Sequence, residues 1–129
     1  MRDLNYLFVY GTLKRTSNSQ EHHFLARHAD FIDTARYYGK LYQIDYYPGV
    51  IPSDNPDDSV DGEVYVLRDA DAVLSYLDRY EECSPEFPEP HEYCRKQQTV
   101  CLNNGTALSA WIYLYYQTTV GLQRLSIQF

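Results

Sequence analysis

Val60–Leu67 (VDGEVYVL), running on into Asp69–Tyr80 (DADAVLSYLDRY), decides the fold class. In the first segment Val60, Gly62, Val64 and Val66 fall on one side, and Asp61, Glu63, Tyr65 and Leu67 on the other. That is the period of two of a β-strand. In the second, Val73, Leu74, Leu77 and Tyr80 form one apolar stripe at helical spacing, with Asp69 or Asp71 able to cap its start. A strand feeding a helix, among many other strand-like runs, points to an α+β domain.

Working outward, Asn5–Tyr10 (NYLFVY) reads as a buried strand that stops at Gly11, with Thr12, Leu13 and Lys14 in a turn. Ser19–Ala29 reads as a short helix capped by Ser19, with Phe24, Leu25 and His28 on one face. Ala29–Ile44 has near-alternating apolar positions and a bend or bulge at Gly39. Tyr46–Gly49 reads as a turn, Val50-Ile51 as a short strand, and Pro52–Ser59 (PSDNPDDS) as a hairpin loop. Prolines at 85, 88 and 90 exclude a helix over Cys83–His91. Tyr93–Leu102 and Thr106–Tyr116 pair as strands across Asn103-Asn104-Gly105, a primed-turn signal. The tail from Gln117 carries no single period. The sum is one domain over 1–129: about six strands, two flanking helices and a curled, largely antiparallel sheet.

Composition narrows the function. A chain of 129 residues can bury roughly two-thirds of its unfolded surface. Eleven Lys and Arg against 18 Asp and Glu give a net charge of −7, which argues against nucleic acid as a partner. No apolar run is long enough for a membrane span, and the first residues do not resemble a signal peptide. Three cysteines, Cys83, Cys94 and Cys101, with no CxxC pair, suit a reducing cytoplasm better than a disulfide framework or a thiolate zinc site. Fourteen tyrosines suggest β structure, a polar cavity, or both.

Three places can carry chemistry. At Tyr10-Gly11-Thr12-Leu13 a strand ends in a glycine turn, and successive N–H groups there can cradle an anion, though a plain strand-ending turn reads the same. At Asp78-Arg79-Tyr80-Glu81-Glu82 acids crowd a helix C-terminus, where the dipole disfavours them. They are either a solvated helix end or a functional exception, with burial and a neighbouring acid suited to tuning a glutamate for proton transfer. At Tyr93-x-Arg95, with Tyr113 and Tyr115 across the hairpin, phenols and a guanidinium share faces that either line a pocket or pack the sheet.

Together these segments resemble the γ-glutamylcyclotransferase-like family, and its small bacterial members most. The resemblance runs from about Leu7 to Tyr116 through Tyr10-Gly11-Thr12-Leu13, Gly39-x-Leu41-Tyr42, Tyr47-Pro48-Gly49, Val60-x-Gly62-Glu63-Val64-Tyr65, Leu77-Asp78-x-Tyr80-Glu81 and Tyr93-x-Arg95. It implies a small mixed, mostly antiparallel β-barrel with two flanking helices, and cyclisation of a γ-glutamyl amine or amino acid to 5-oxoproline. It implies Glu81 as catalytic acid/base and Tyr10, Gly11, Thr12 and Leu13 as substrate-binding residues; from the strand faces, Tyr113 or Tyr115 is expected to bind the substrate and orient the amine. The chemistry needs no metal or cofactor. Glu82 stands where the family usually has glycine. Three rival readings exist: a non-catalytic small-molecule binding module, a Cys83–His91 thiol enzyme, and a metal site from His22, His23, His28 and His91. The histidine spacing disfavours the last, and the Pro-rich loop around Cys83 disfavours the thiol enzyme.

Overall fold

The structure is a computed structural model that describes residues 4–10, 20–44, 48–87, 89 and 91–125, without the side chain of Glu21. Eight strands and two helices are present among them. These are β1 (Tyr6–Val9), α1 (Gln20–His28), β2 (Ala29–Tyr37), β3 (Gly39–Gln43), β4 (Pro48–Pro52), β5 (Val60–Leu67), α2 (Ala70–Tyr80), β6 (Tyr93–Leu102), β7 (Ala107–Tyr115) and β8 (Gln123–Leu125). Five strands close a barrel in the order β1-β5-β2-β6-β7, and β4-β3-β8 make a second small sheet. The barrel pairs are antiparallel except β1 with β7, which run parallel at Leu7–Trp111 and close the ring. The expected mixed, mostly antiparallel barrel with two helices is therefore present.

Strand alternation gives the barrel two apolar faces. Phe8, Ala35, Tyr37, Val60, Val64, Val100, Leu102, Ala110, Ile112 and Leu114 come from all five barrel strands and fill its interior, joined by Leu41 and Val50 of the small sheet. Leu7, Val9, Tyr65, Leu67, Tyr93 and Tyr113 form an outer face that Leu25 of α1 and Val73, Leu74 and Leu77 of α2 cover. Leu77 is fully buried and Val73 nearly so; burying such side chains is worth about 1.5–3 kcal/mol each, which fixes α2 on the barrel. Gly62 lies where β5 crosses β1: a Cβ there would meet the Val9 carbonyl oxygen and come within 2.5 Å of the Phe8 ring.

Several local expectations differ from the structure. The 29–44 run is two strands in two sheets, parted by a bend at Tyr38 beside Gly39, and its register slip falls between Phe31 and Asp33. Pro52–Ser59 is not a hairpin loop, because β4 pairs with β3 while β5 pairs with β1 and β2; the segment crosses between sheets. Asp69 holds the N-cap position of α2 but is left-handed, with φ 51°, and its side chain caps nothing. Tyr80, expected on the apolar stripe, is 41% exposed. In the β6–β7 hairpin only Gly105 has positive φ, +92°, and Leu102 C=O accepts its N–H at 2.9 Å. Asn104 Oδ1 accepts the Thr106 N–H at 2.9 Å, so a turn followed by a glycine bulge replaces the primed turn. The tail supplies β8, tied to β3 and by an Arg124–Asp58 ion pair. The Ser19 cap, the 12–14 turn and Tyr46-Tyr47 lie outside the described residues.

Candidate active site

The topology brings three chain ends to one end of the barrel. β1 ends at Val9 and Tyr10, alongside the C-terminal end of β7 because those strands are parallel. β6 starts there, since Tyr93 pairs with Tyr115 and Arg95 with Tyr113. α2 starts after β5 at the far end and returns along the outer face, so its C-terminus arrives at the same place.

That C-terminus has a defined shape. Glu81 is the C-cap and its N–H donates to Leu77 C=O at 2.8 Å. Glu82 is left-handed, φ 55°. The Glu82 N–H donates to Arg79 C=O at 3.1 Å and the Cys83 N–H to Asp78 C=O at 2.9 Å. This pair of bonds is the Schellman closure, which normally places glycine where Glu82 stands.

Three residues before Glu81, Asp78 receives donors at both carboxylate oxygens. Arg95 clamps it bidentately, Nε to Oδ1 at 2.7 Å and Nη2 to Oδ2 at 3.0 Å. The Tyr113 hydroxyl donates to Oδ1 at 2.7 Å and the Cys83 thiol points to the same oxygen at 3.8 Å. Asp78 and Arg95 side chains are only 19% and 23% exposed, and the guanidinium lies 4.3 Å from the centre of the Trp111 ring. Burial and the Asp78 carboxylate push the Tyr113 phenol far above its ordinary range. Burial, then the charges of Asp78 and Glu81, push the Cys83 thiol up to about 12, with Arg95 opposing.

Tyr10 packs against the barrel interior. Its hydroxyl donates to the Tyr113 backbone carbonyl at 2.5 Å. Burial raises its pKa well above the phenol range, the charge of Glu81 raises it further, and a backbone hydrogen bond from Val50 opposes. Tyr10 and Glu81 thus share one locality. Tyr113 and Tyr115 lie on the other side of β7 from Tyr10, on the helix-covered face. Tyr115 packs edge-on against Tyr93, ring centres 5.9 Å apart, and the Tyr93 hydroxyl donates to Pro48 C=O at 2.9 Å. Gly11, Thr12 and Leu13 lie outside the described residues.

Two features had no role assigned from sequence. Asp78 belonged to a motif, but its partners come from strands far along the chain. Glu63 is 4% exposed, opposite Val9, and accepts the Tyr65 hydroxyl at 3.2 Å. The available signal was an acid sharing a strand face with Tyr65 and Leu67. The Cys83–His91 pairing is not formed: Cys83 faces Asp78, and His91 Nε2 meets the Phe87 carbonyl at 3.3 Å. Among the described residues no three His, Cys, Asp or Glu side chains converge to hold a metal, and no helix is long and apolar enough to cross a membrane.

A small closed barrel with an acid-bearing helix end beside the end of its first strand defines a fold class shared with known proteins. The family model described as gamma-glutamyl cyclotransferase, AIG2-like, matches residues 7–127, and the chain belongs to that family. It is 29% identical over 118 residues to the Drosophila melanogaster protein CG2811, provisionally named a gamma-glutamylcyclotransferase, covering 84% of this chain and 68% of that one. The crystal structure of YkqA from Bacillus subtilis is similar, with TM-score 0.67 and 27% identity over 90% of this chain. This chain spans only 37% of the YkqA chain. An AIG2-like protein from Mus musculus shares the fold at TM-score 0.75 and 22% identity, covering 99% of this chain and 89% of that one.

Proposed function

We propose that the protein cyclises a γ-glutamyl amine or γ-glutamyl amino acid to 5-oxoproline, with Glu81 as base and then acid. The observation that supports this reading is that the topology brings the end of β1 at Tyr10 and the end of α2 at Glu81 to one end of the barrel. In the reaction the substrate's α-amine attacks its own γ-amide carbonyl. A C–N bond closes the five-membered ring and the bond to the second amine breaks. The reaction is intramolecular, so holding the folded-back conformer supplies much of the rate. The α-ammonium must first lose a proton and the leaving amine must gain one. A half-buried carboxylate at the site can relay that proton. Backbone N–H groups of Gly11–Leu13 are assigned the substrate carboxylate or the oxyanion, by resemblance. Tyr115 is assigned to orient the amine. Three free thiols fit a reducing compartment.

The test is a panel of γ-glutamyl amines and γ-glutamyl amino acids, with 5-oxoproline quantified by mass spectrometry. Glu81→Gln is expected to lower kcat about 10²–10⁴-fold, the usual contribution of a positioned acid/base. Wild-type turnover by Glu81→Gln refutes the role of Glu81.

A further inference from the structure

The strand pattern offers Tyr113 as a substrate contact, yet its hydroxyl is already committed to Asp78 at 2.7 Å. Its backbone carbonyl is equally committed, to the Tyr10 hydroxyl at 2.5 Å. One residue of β7 therefore holds both halves of the candidate site: the end of β1 through its main chain and the end of α2 through its side chain. We propose that Tyr113 and Asp78 form a positioning pair that sets Glu81 against Tyr10, an inference that rests on the reading of Glu81 above.

The geometry supports a rigid link. Tyr113 is buried, so its ring has little freedom. Asp78 lies three residues before Glu81 on α2, and its own carbonyl closes the turn by accepting the Cys83 N–H at 2.9 Å. The carboxylate thus holds the helix end from the strand side while the backbone carbonyl holds the chain that follows. Arg95 neutralises Asp78 and is itself seated on Trp111, 4.3 Å from the ring centre. Both Asp78 oxygens are engaged from the barrel wall: Oδ1 receives Arg95, Tyr113 and Cys83, and Oδ2 receives Arg95. The pair acts through Glu81 and does not touch substrate. A displacement of about 1 Å at a base can cost on the order of 100-fold in rate, so such a link is kinetically significant.

The experiment uses Tyr113→Phe and Asp78→Asn, alone and combined with Glu81→Gln, in the full chain. Tyr113→Phe keeps the carbonyl that receives Tyr10, so it severs only the link to Asp78, and it remains the informative variant if Asp78→Asn does not fold. Expected are a cooperative melt, kcat lowered about 10-fold and KM within about threefold of wild type. In the Glu81→Gln background the same changes should alter the residual rate less than about twofold, because residues acting as a unit are not additive. Independently of turnover, amide exchange at Glu81, Glu82 and Cys83 should quicken at least about fivefold in Tyr113→Phe while Leu74 is unchanged. Additive losses, a raised KM at unchanged kcat, or unaltered exchange at these three amides each overturn the pair. If Glu81→Gln is inactive while Tyr113→Phe and Asp78→Asn keep wild-type kcat, the pair fails and Glu81 stands. If Glu81→Gln stays active, the reading of Glu81 fails and the pair's role goes with it.

Discussion

Glu82→Gly is expected to stabilise the protein. Glu82 has φ 55° at the position that closes α2, and the bonds around it require that conformation. A side chain in the left-handed region costs about 1–2 kcal/mol because its Cβ crowds the neighbouring carbonyl. Glycine removes that cost but gives the unfolded chain more freedom, worth about 0.4–1 kcal/mol against folding. The net gain from the backbone is about 0.5–1 kcal/mol. Removing a negative charge from a helix C-terminus adds about 0.3–1 kcal/mol at an exposed site. Glu82→Ala shares the charge term but keeps a Cβ, so the difference between the two variants isolates the backbone. Urea denaturation at constant m-value should rank glycine above alanine by about 0.5–1 kcal/mol, or roughly 2–5 °C in Tm for a chain of this length. An alanine variant as stable as the glycine variant refutes the argument, because the left-handed turn would then not be strained.

Gly62→Ala should destabilise by about 1–3 kcal/mol or more, since its Cβ would drive into the Val9 carbonyl and the Phe8 ring; a wild-type urea midpoint refutes this. Asp58 is held below the usual carboxylate range by hydrogen bonds from Arg124 and Ser53. A depressed folded pKa stabilises above the unfolded value, about 3.9, and that contribution is lost as pH falls through the folded pKa. The stability gap between wild type and Asp58→Asn should therefore be full near neutrality and shrink in acid, and a gap independent of pH refutes it. With its thiol pushed up to about 12, Cys83 should resist iodoacetamide at pH 8 until the protein unfolds. Peptide mapping that finds native Cys83 alkylated at the rate of a free thiol refutes this.

Legibility in the sequence followed the range of the interactions. β5 matches its expected bounds, Val60–Leu67, because alternation and length are local. The Tyr93–Tyr115 and Arg95–Tyr113 pairs could be approached from the hairpin signal between them. The Pro52–Ser59 loop was legible as a loop but not as a crossing, because turn chemistry does not say which sheet the next strand joins. β8 has three residues and rests on β3 and on the Arg124–Asp58 pair, 66 positions apart in sequence. At the site, Glu81 was visible as an acid breaking a local rule. The partners of Asp78 were not: Arg95 and Tyr113 lie 17 and 35 residues away, and no local pattern encodes a carboxylate that must bind both.

The crowding of acids at the end of α2 resolves into separate tasks. Asp78 is neutralised by Arg95 and held by donors at both oxygens, which ties it to the barrel wall. Arg79 does not compensate the helix end locally but pairs with Glu86, 3.2 Å away, where both side chains are largely exposed and the bond is worth little. Glu82 is exposed and occupies a strained turn. Glu81 is the acid of the three whose charge raises the pKa of Tyr10, at the end of the first strand. A helix C-terminus would ordinarily exclude such a cluster, because each carboxylate opposes the dipole. It becomes tolerable when one acid is bound into the barrel wall and another faces water. On the reading proposed above, the remaining carboxylate, at the end of the first strand, is the one that gains and loses a proton in each turnover.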